Sequence, residues 1–187
     1  MDVTRADPAD LEVLRAAFGA GSRRPPPGWD AVRAFEAEHG IVLPEPYRTC
    51  VAEICDGSAD GPPSYGLLPL AGMPRDRGGR RPERVLAAPF PLTGPWLWEG
   101  DEDDPRSDEE IAAALHPVFS HGSVVLGTDG CGMYWHLVVA GPHRGHVWSI
   151  CGEGATPFGS EFGHTTASSG FAGWVGHWAK GLTWFDR

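Results

Sequence analysis

The residues best equipped for chemistry lie in the last third of the chain. Cys131 stands between Gly130 and Gly132, with Asp129 just before it and His136 just after. A thiol in a tight turn beside a base and a carboxylate is a pattern for nucleophilic catalysis, because the base generates the thiolate. The same glycines are what a turn with positive φ requires. There is no Gly-x-Ser-x-Gly elbow. Cys131 is therefore expected to be a turn residue, and the chain is expected not to be an enzyme. His136, His143 and His146 lie near Cys131 and Cys151, which raises a zinc site. Zinc needs four converging ligands, usually from pairs at C-x2-4-C or H-x3-5-H spacing, and neither Cys131 nor Cys151, the cysteines near these histidines, has a partner at that spacing. These histidines read as hairpin residues, and no metal is expected. The acidic run Asp101 to Asp104 suggests calcium, but Pro105-Arg106 breaks the calcium-loop pattern of Gly at six and Glu at twelve. Gly127, Gly130 and Gly132 lack the dinucleotide fingerprint and a following helix. No phosphate-loop lysine exists, since Lys180 is the only lysine. No cofactor is expected.

The remaining chemistry is that of a contact surface. Trp96 and Trp98 alternate with Pro95, Leu97 and Glu99. Asp101, Glu102, Asp103, Asp104, Asp108, Glu109 and Glu110 follow, with Arg106 as the only base from Glu99 to Glu110. Tryptophan is a common anchor of protein interfaces, and charge sets association rate and salt dependence. Trp96, Trp98, Glu99, Asp101 to Asp104 and Asp108 to Glu110 are the candidate partner-binding residues. The competing reading is that both tryptophans cover the core from a long insertion.

These residues must be positioned by the elements around them. Asp7-Pro8 reads as a helix start, and Leu11, Leu14 and Phe18 continue it on one face. This helix is a candidate packed arm, joined by the stiff linker Arg23 to Pro27. A second helix covers Trp29 to His39, with Trp29, Val32 and Phe35 or Glu36 inward, and Gly40 ends it. A third starts near Pro44 and buries Tyr47, Cys50, Val51, Ile54 and Cys55. Tyr65 to Leu70 reads as a strand, and Val85 to Pro91 as an edge strand limited by its prolines. Ser107 to Glu110 is a capping box opening a helix over Ile111 to Leu115, which should stop before Pro117. Ser123 to Gly127, Tyr134 to Ala140 and His146 to Cys151 form an antiparallel meander with turns at 129–132 and 141–145. A last helix, capped by Ser168 or Ser169, carries Phe171, Trp174, Val175 and Trp178 on one face. Helices, then a meander, then a covering helix define an α+β fold, with an antiparallel or mixed sheet flanked by helices.

Composition narrows the function classes. The chain of 187 residues has 15 basic and 25 acidic side chains, a formal net charge of -10. Direct nucleic-acid binding is disfavoured, since phosphate neutralisation needs clustered cations. The first residues form no apolar signal segment, and no run is long enough to span a membrane. A cytoplasmic protein with four reduced thiols follows. Eight tryptophans require a packed core or an adhesive surface. The use of arginine over lysine, with many Ala, Gly and Pro, fits a GC-rich bacterial coding bias.

The motif Trp29…Phe35-Glu36-x-x-x-Gly40-Ile41-x-Leu43-Pro44-x-x-Tyr47-Arg48, followed by Asp56-Gly57 and Tyr65-Gly66-Leu67, resembles the opening of the SUKH superfamily. Its founding member is a yeast regulator of cell-wall assembly. Gly130-Cys131-Gly132, Leu137-Val138-Val139-x-Gly141, Gly145-x-Val147-Trp148 and Phe171-x-x-Trp174 are similar to its bacterial members. The resemblance covers about Trp29 to Trp178, with residues 72–117 standing out as an insertion. With the N-terminal helix and Pro-rich linker occupying 1–27, the expected organisation is one SUKH-like domain over 28–187. The resemblance also implies an immunity protein that binds a cognate toxin, often a nuclease, and has no shared catalytic residues. A regulatory interaction module without a toxin is the alternative. A small enzyme using Cys131 and His136 is the third reading.

Overall fold

The computed structural model describes residues 5–19, 21, 23–70, 72, 84–97 and 105–186. Helix α1 is Pro8–Ala17. The Asp7 carboxylate accepts the Ala9 N–H at 2.9 Å, and Pro8 occupies the first turn, where its missing N–H is not needed. Leu14 and Phe18 are buried in the main core, so α1 is docked and not a free arm. Helix α2, Trp29–His39, ends on Gly40 at φ 65, the left-handed geometry that favours glycine. Helix α3 is only Tyr47–Thr49 and widens into a π turn over Cys50–Ile54. Tyr47, Cys50, Val51, Ile54 and Cys55 are all buried, as their spacing predicts.

The sheet has five antiparallel strands: β1 Trp96–Leu97, β2 Ser123–Gly130, β3 Met133–Val138, β4 Val147–Ile150 and β5 Gly154–Phe158. Their order is β1-β5-β4-β3-β2, so the meander runs from β2 to β5 and β1 closes the far edge. Both faces are covered. Val124, Leu126, Trp135, Leu137, Val147 and Phe158 face the main core, which holds α1, α2, α3 and helix α5, Gly170–Ala179. Val138, Trp148, Ile150 and Ala155 face a second core, covered by Phe90 and by Val118 of helix α4, Asp108–Ser120. The fold is α+β, as the order of elements predicts. The tryptophan content is largely core: Trp135, Trp148 and Trp174 are fully buried, and Trp184 stacks on Trp174 at 5.4 Å.

Four expectations need correction. Tyr65 to Leu70 is not a named strand. Gly66, at φ 92, turns the chain, and Leu67 instead forms a bridge with Ser58. The segment still lies along β2, with Leu68 N–H donating to Leu126 O at 2.7 Å and Tyr65 N–H to Thr128 O at 3.3 Å. It covers the sheet edge. Val85 to Pro91 makes one isolated bridge, Val85 to His121, and then turns away. Helix α4 does not stop before Pro117 but continues to Ser120. Proline inside a helix costs about 3 kcal/mol. Burying Val118 and half-burying Phe119 against the second core recovers a similar amount, at about 1.5–3 kcal/mol per fully buried side chain. Strand β2 runs on through Gly130, with register shifts after Val125 and Thr128, so the turn shrinks to Cys131-Gly132. Strand β5 was not expected at all.

Candidate interaction surface

The proposed partner residues begin at the β1 edge. Trp96 pairs with Ala155 and Leu97 with Gly154. Gly154 permits this closeness, because a Cβ there would lie 2.7 Å from Trp96 O. Trp96 is half-buried and packs against the second core, so it covers core as the competing reading holds. Its neighbour Leu97 points outward, 80% exposed. Asp108, Glu109 and Glu110 are exposed in the first turn of α4, where the helix dipole favours carboxylates. Glu110 accepts Ser107 N–H at 2.8 Å, and Ser107 Oγ accepts Glu110 N–H, so the capping box is complete. Trp96 and α4 thus share one layer of the fold. Trp98, Glu99, Asp101, Glu102, Asp103 and Asp104 lie outside the described residues, as does the arginine-rich stretch from 73 to 83.

The candidate catalytic group is dispersed. Cys131 is exposed in a two-residue hairpin turn, with φ 50, and Gly132 follows at φ 76. Two successive positive φ values are the pattern of a type I′ turn. His136 is fully buried on the α4 side of β3, its Nδ1 2.9 Å from Ser123 Oγ. About 10 Å of strand separate Met133 from His136. Asp129 cannot orient that imidazole. One of its oxygens accepts Ser64 N–H and O–H at 2.9 and 2.6 Å, and the other accepts Trp135 Nε1–H at 2.6 Å. Cys131→Asn is expected to raise stability by about 0.5–1 kcal/mol, since asparagine tolerates positive φ better. Cys131→Ser should leave partner binding unchanged. Gly130→Val, at φ 88 against the Tyr65 ring, should lose about 1–3 kcal/mol. Chemical denaturation checks the two stability changes, and loss of binding in a folded Cys131→Ser protein would contradict the assignment.

His143 and His146 do lie together, ring centroids 5.3 Å apart. His143 Nε2 is 3.1 Å from Thr93 O, and His146 Nε2 is 3.8 Å from Glu161. Burial holds His146 below the usual imidazole range, with Glu161 opposing. Among the described residues, no group of three or more His, Cys, Asp or Glu is arranged to hold a metal. Clefts of about 560 and 540 Å³ flank α1, one against α5 and one against α2 and α3. In the second, Glu45 accepts Thr49 N–H, Glu53 accepts Trp29 Nε1–H, and Arg48 is bound to Glu36.

The front motif resolves into a buried ionic joint. Glu36 accepts Leu43 N–H at 2.8 Å, Arg48 Nε at 2.7 Å and Arg48 Nη2 at 2.9 Å. The Arg48 guanidinium lies 5.0 Å from the centre of the Trp29 ring. Tyr47 packs edge-on against Phe171 at 4.9 Å, tying the turn to α5. Sequence reasoning left Phe35 or Glu36 open as the inner residue. Glu36 is the buried one, because its partners arrive with the turn that follows.

An antiparallel meander between helical layers, with a Trp-Glu-Arg joint at its entrance, makes this a small α+β domain. The family model described as the SMI1 / KNR4 family (SUKH-1) matches residues 27–168, and the chain belongs to that family. The match ends before α5, which the motif resemblance had included. Nothing matches among curated proteins, and nothing matches among solved structures. Among the described residues, no helix is long and apolar enough to cross a membrane.

Proposed function

We propose that this chain is a cytoplasmic protein-binding domain without catalytic activity, an immunity protein that neutralises a basic bacterial toxin, a nuclease by preference. The observation that carries the reading is the uneven charge. The chain has a net charge of -10, and eight of its 25 acidic residues fall between Glu99 and Glu110, beside Trp96 and Trp98. A nuclease active surface is cationic, because it must hold phosphates. A negative patch with an aromatic anchor is drawn to that surface and covers it.

The test begins with the product of a toxin gene beside this one, co-expressed with and without the chain. Protection of growth and co-purification are expected. Reversing Asp101, Glu102, Asp103 and Asp104 to Lys should slow association about tenfold at low salt and flatten the salt dependence. Trp98→Ala should mainly speed dissociation. Wild-type kinetics for both variants across a salt series would move the interface elsewhere. No protection and no binding would favour a regulatory module.

A further inference from the structure

At the other edge of the sheet, the tip of the β2–β3 hairpin and the segments beside it carry a second set of exposed apolar side chains. Tyr65 is 72% exposed, Phe185 42% and Met133 41%. A chain of contacts links Tyr65 to Phe185. The Tyr65 ring lies against Gly130, where a Cβ would come within 3.0 Å of Cε2. Ser64 is hydrogen-bonded to Asp129, and Asp129 to the Trp135 indole. Trp135 stacks with Phe185 at 6.1 Å.

The backbone under Tyr65 is held firmly. Tyr65 N–H donates to Thr128 O, Gly66 N–H to Pro63 O at 2.8 Å, and Leu67 and Ser58 exchange two bonds at 2.7 and 2.9 Å. A rigidly held aromatic with one open face loses little entropy on binding, the usual condition for an anchor. Two carboxylates lie on this path, Asp129 through its bonds to Ser64 and Trp135 and Asp186 next to Phe185 in the chain. Asp129 accepts three hydrogen bonds and Asp186 two, from Thr166 N–H at 2.8 Å and Thr166 O–H at 2.6 Å. Neither has a cationic partner among the described residues. The Thr166 hydrogen bonds hold Asp186 down to about 2, so it stays charged at neutral pH. Carboxylates near exposed rings repel anions and select cations, with guanidinium matching both ring and carboxylate.

We propose that the hairpin end, with Tyr65 and Phe185 as ring faces and Asp129 and Asp186 as counter-charges, docks a loop or tail of a protein partner carrying arginine. This rests on the reading of the chain as a binding domain with a basic partner. It gives that partner a contact at the sheet edge opposite Trp96.

The test titrates the isotope-labelled full chain with the peptide Ac-Gly-Arg-Gly-Arg-Gly-NH2 and with its glutamate counterpart, followed by amide shifts. Saturating shifts of Tyr65, Gly130, Met133 and Phe185 are expected, with a dissociation constant of about 1 mM, alongside shifts in the acidic stretch 99–110 that Tyr65→Ala leaves unchanged. Tyr65→Ala and Asp186→Asn should each weaken binding about fivefold, and Tyr65→Phe should retain it. The thermal midpoint of Tyr65→Ala should match the wild type because the ring is exposed, whereas Asp186→Asn loses one of the Thr166 hydrogen bonds and should melt slightly lower while still folded at the titration temperature. The glutamate peptide should leave these amides unmoved. Absence of shifts at these four amides, or affinity there indifferent to both Tyr65→Ala and Asp186→Asn, would overturn the assignment. Failure of the toxin reading would leave the peptide shifts in place. Failure of this surface would leave toxin binding intact in Tyr65→Ala.

Discussion

Glu36→Ala is expected to lower the unfolding free energy by about 3–5 kcal/mol, a large part of the about 5–15 kcal/mol typical of such a domain. Glu36 is 7% exposed and satisfies three donors at once, Leu43 N–H and two nitrogens of Arg48. Removing the carboxylate strands a largely buried guanidinium and a backbone N–H that water cannot easily reach. The cost is mostly that of the groups left behind, not of the bonds lost. The pair itself need contribute little, because desolvating two charges offsets most of their attraction. The double variant Glu36→Leu with Arg48→Met should therefore be less damaged than Glu36→Ala alone, keeping within about 2 kcal/mol of wild type. Urea denaturation of the three proteins measures this. A loss under about 1 kcal/mol for Glu36→Ala would mean that the joint behaves as an exposed ion pair.

The joint also marks where reading a sequence succeeds and where it stops. The stripe Tyr47, Cys50, Val51, Ile54, Cys55 announces a buried face because helical spacing repeats it. The pairing of Glu36 with Arg48 does not show in any periodicity, because the two residues meet only after the chain has turned through Pro44 to Pro46. Both faces of β3 are buried, so Tyr134 to Val138 reads as apolar but for His136 and does not say that α4 will cover one side. That cover comes from a stretch that looks like an insertion. Strand β5 was invisible for a local reason: Gly154 and Pro157 are poor strand formers, and only pairing with β4 and β1 makes them extended. Tyr65 failed in the opposite sense. Tyr65-Gly66-Leu67-Leu68 has strand-like residues, but the positive φ of Gly66 is a tertiary fact. The acidic stretch was legible from charge alone, whereas the aromatic hairpin end required the fold to bring Tyr65, Met133 and Phe185 together.

Gly66→Ala is the second large effect, with an expected loss of about 3–5 kcal/mol. Gly66 has φ 92, so an L side chain there is strained by about 1–3 kcal/mol. Its backbone also passes so close to the neighbouring turn that a Cβ would overlap Ser58 O and lie 3.1 Å from Ala59 Cα. Relieving the overlap pushes Ser58 away from Leu67, and each of the two hydrogen bonds between them is worth about 1 kcal/mol. Gly132→Ala supplies the control. Gly132 has φ 76, but a Cβ there meets nothing within 4 Å, so it carries only the conformational cost, about 1–2 kcal/mol. The difference between the two variants isolates the close approach. Equal losses would mean that backbone conformation alone makes Gly66 necessary, and that Tyr65 owes its position to Ser64 and Thr128 alone. A larger loss at Gly66, with the Tyr65 amide resonance displaced in the folded fraction, ties the family's Tyr-Gly-Leu motif to the placement of the exposed ring.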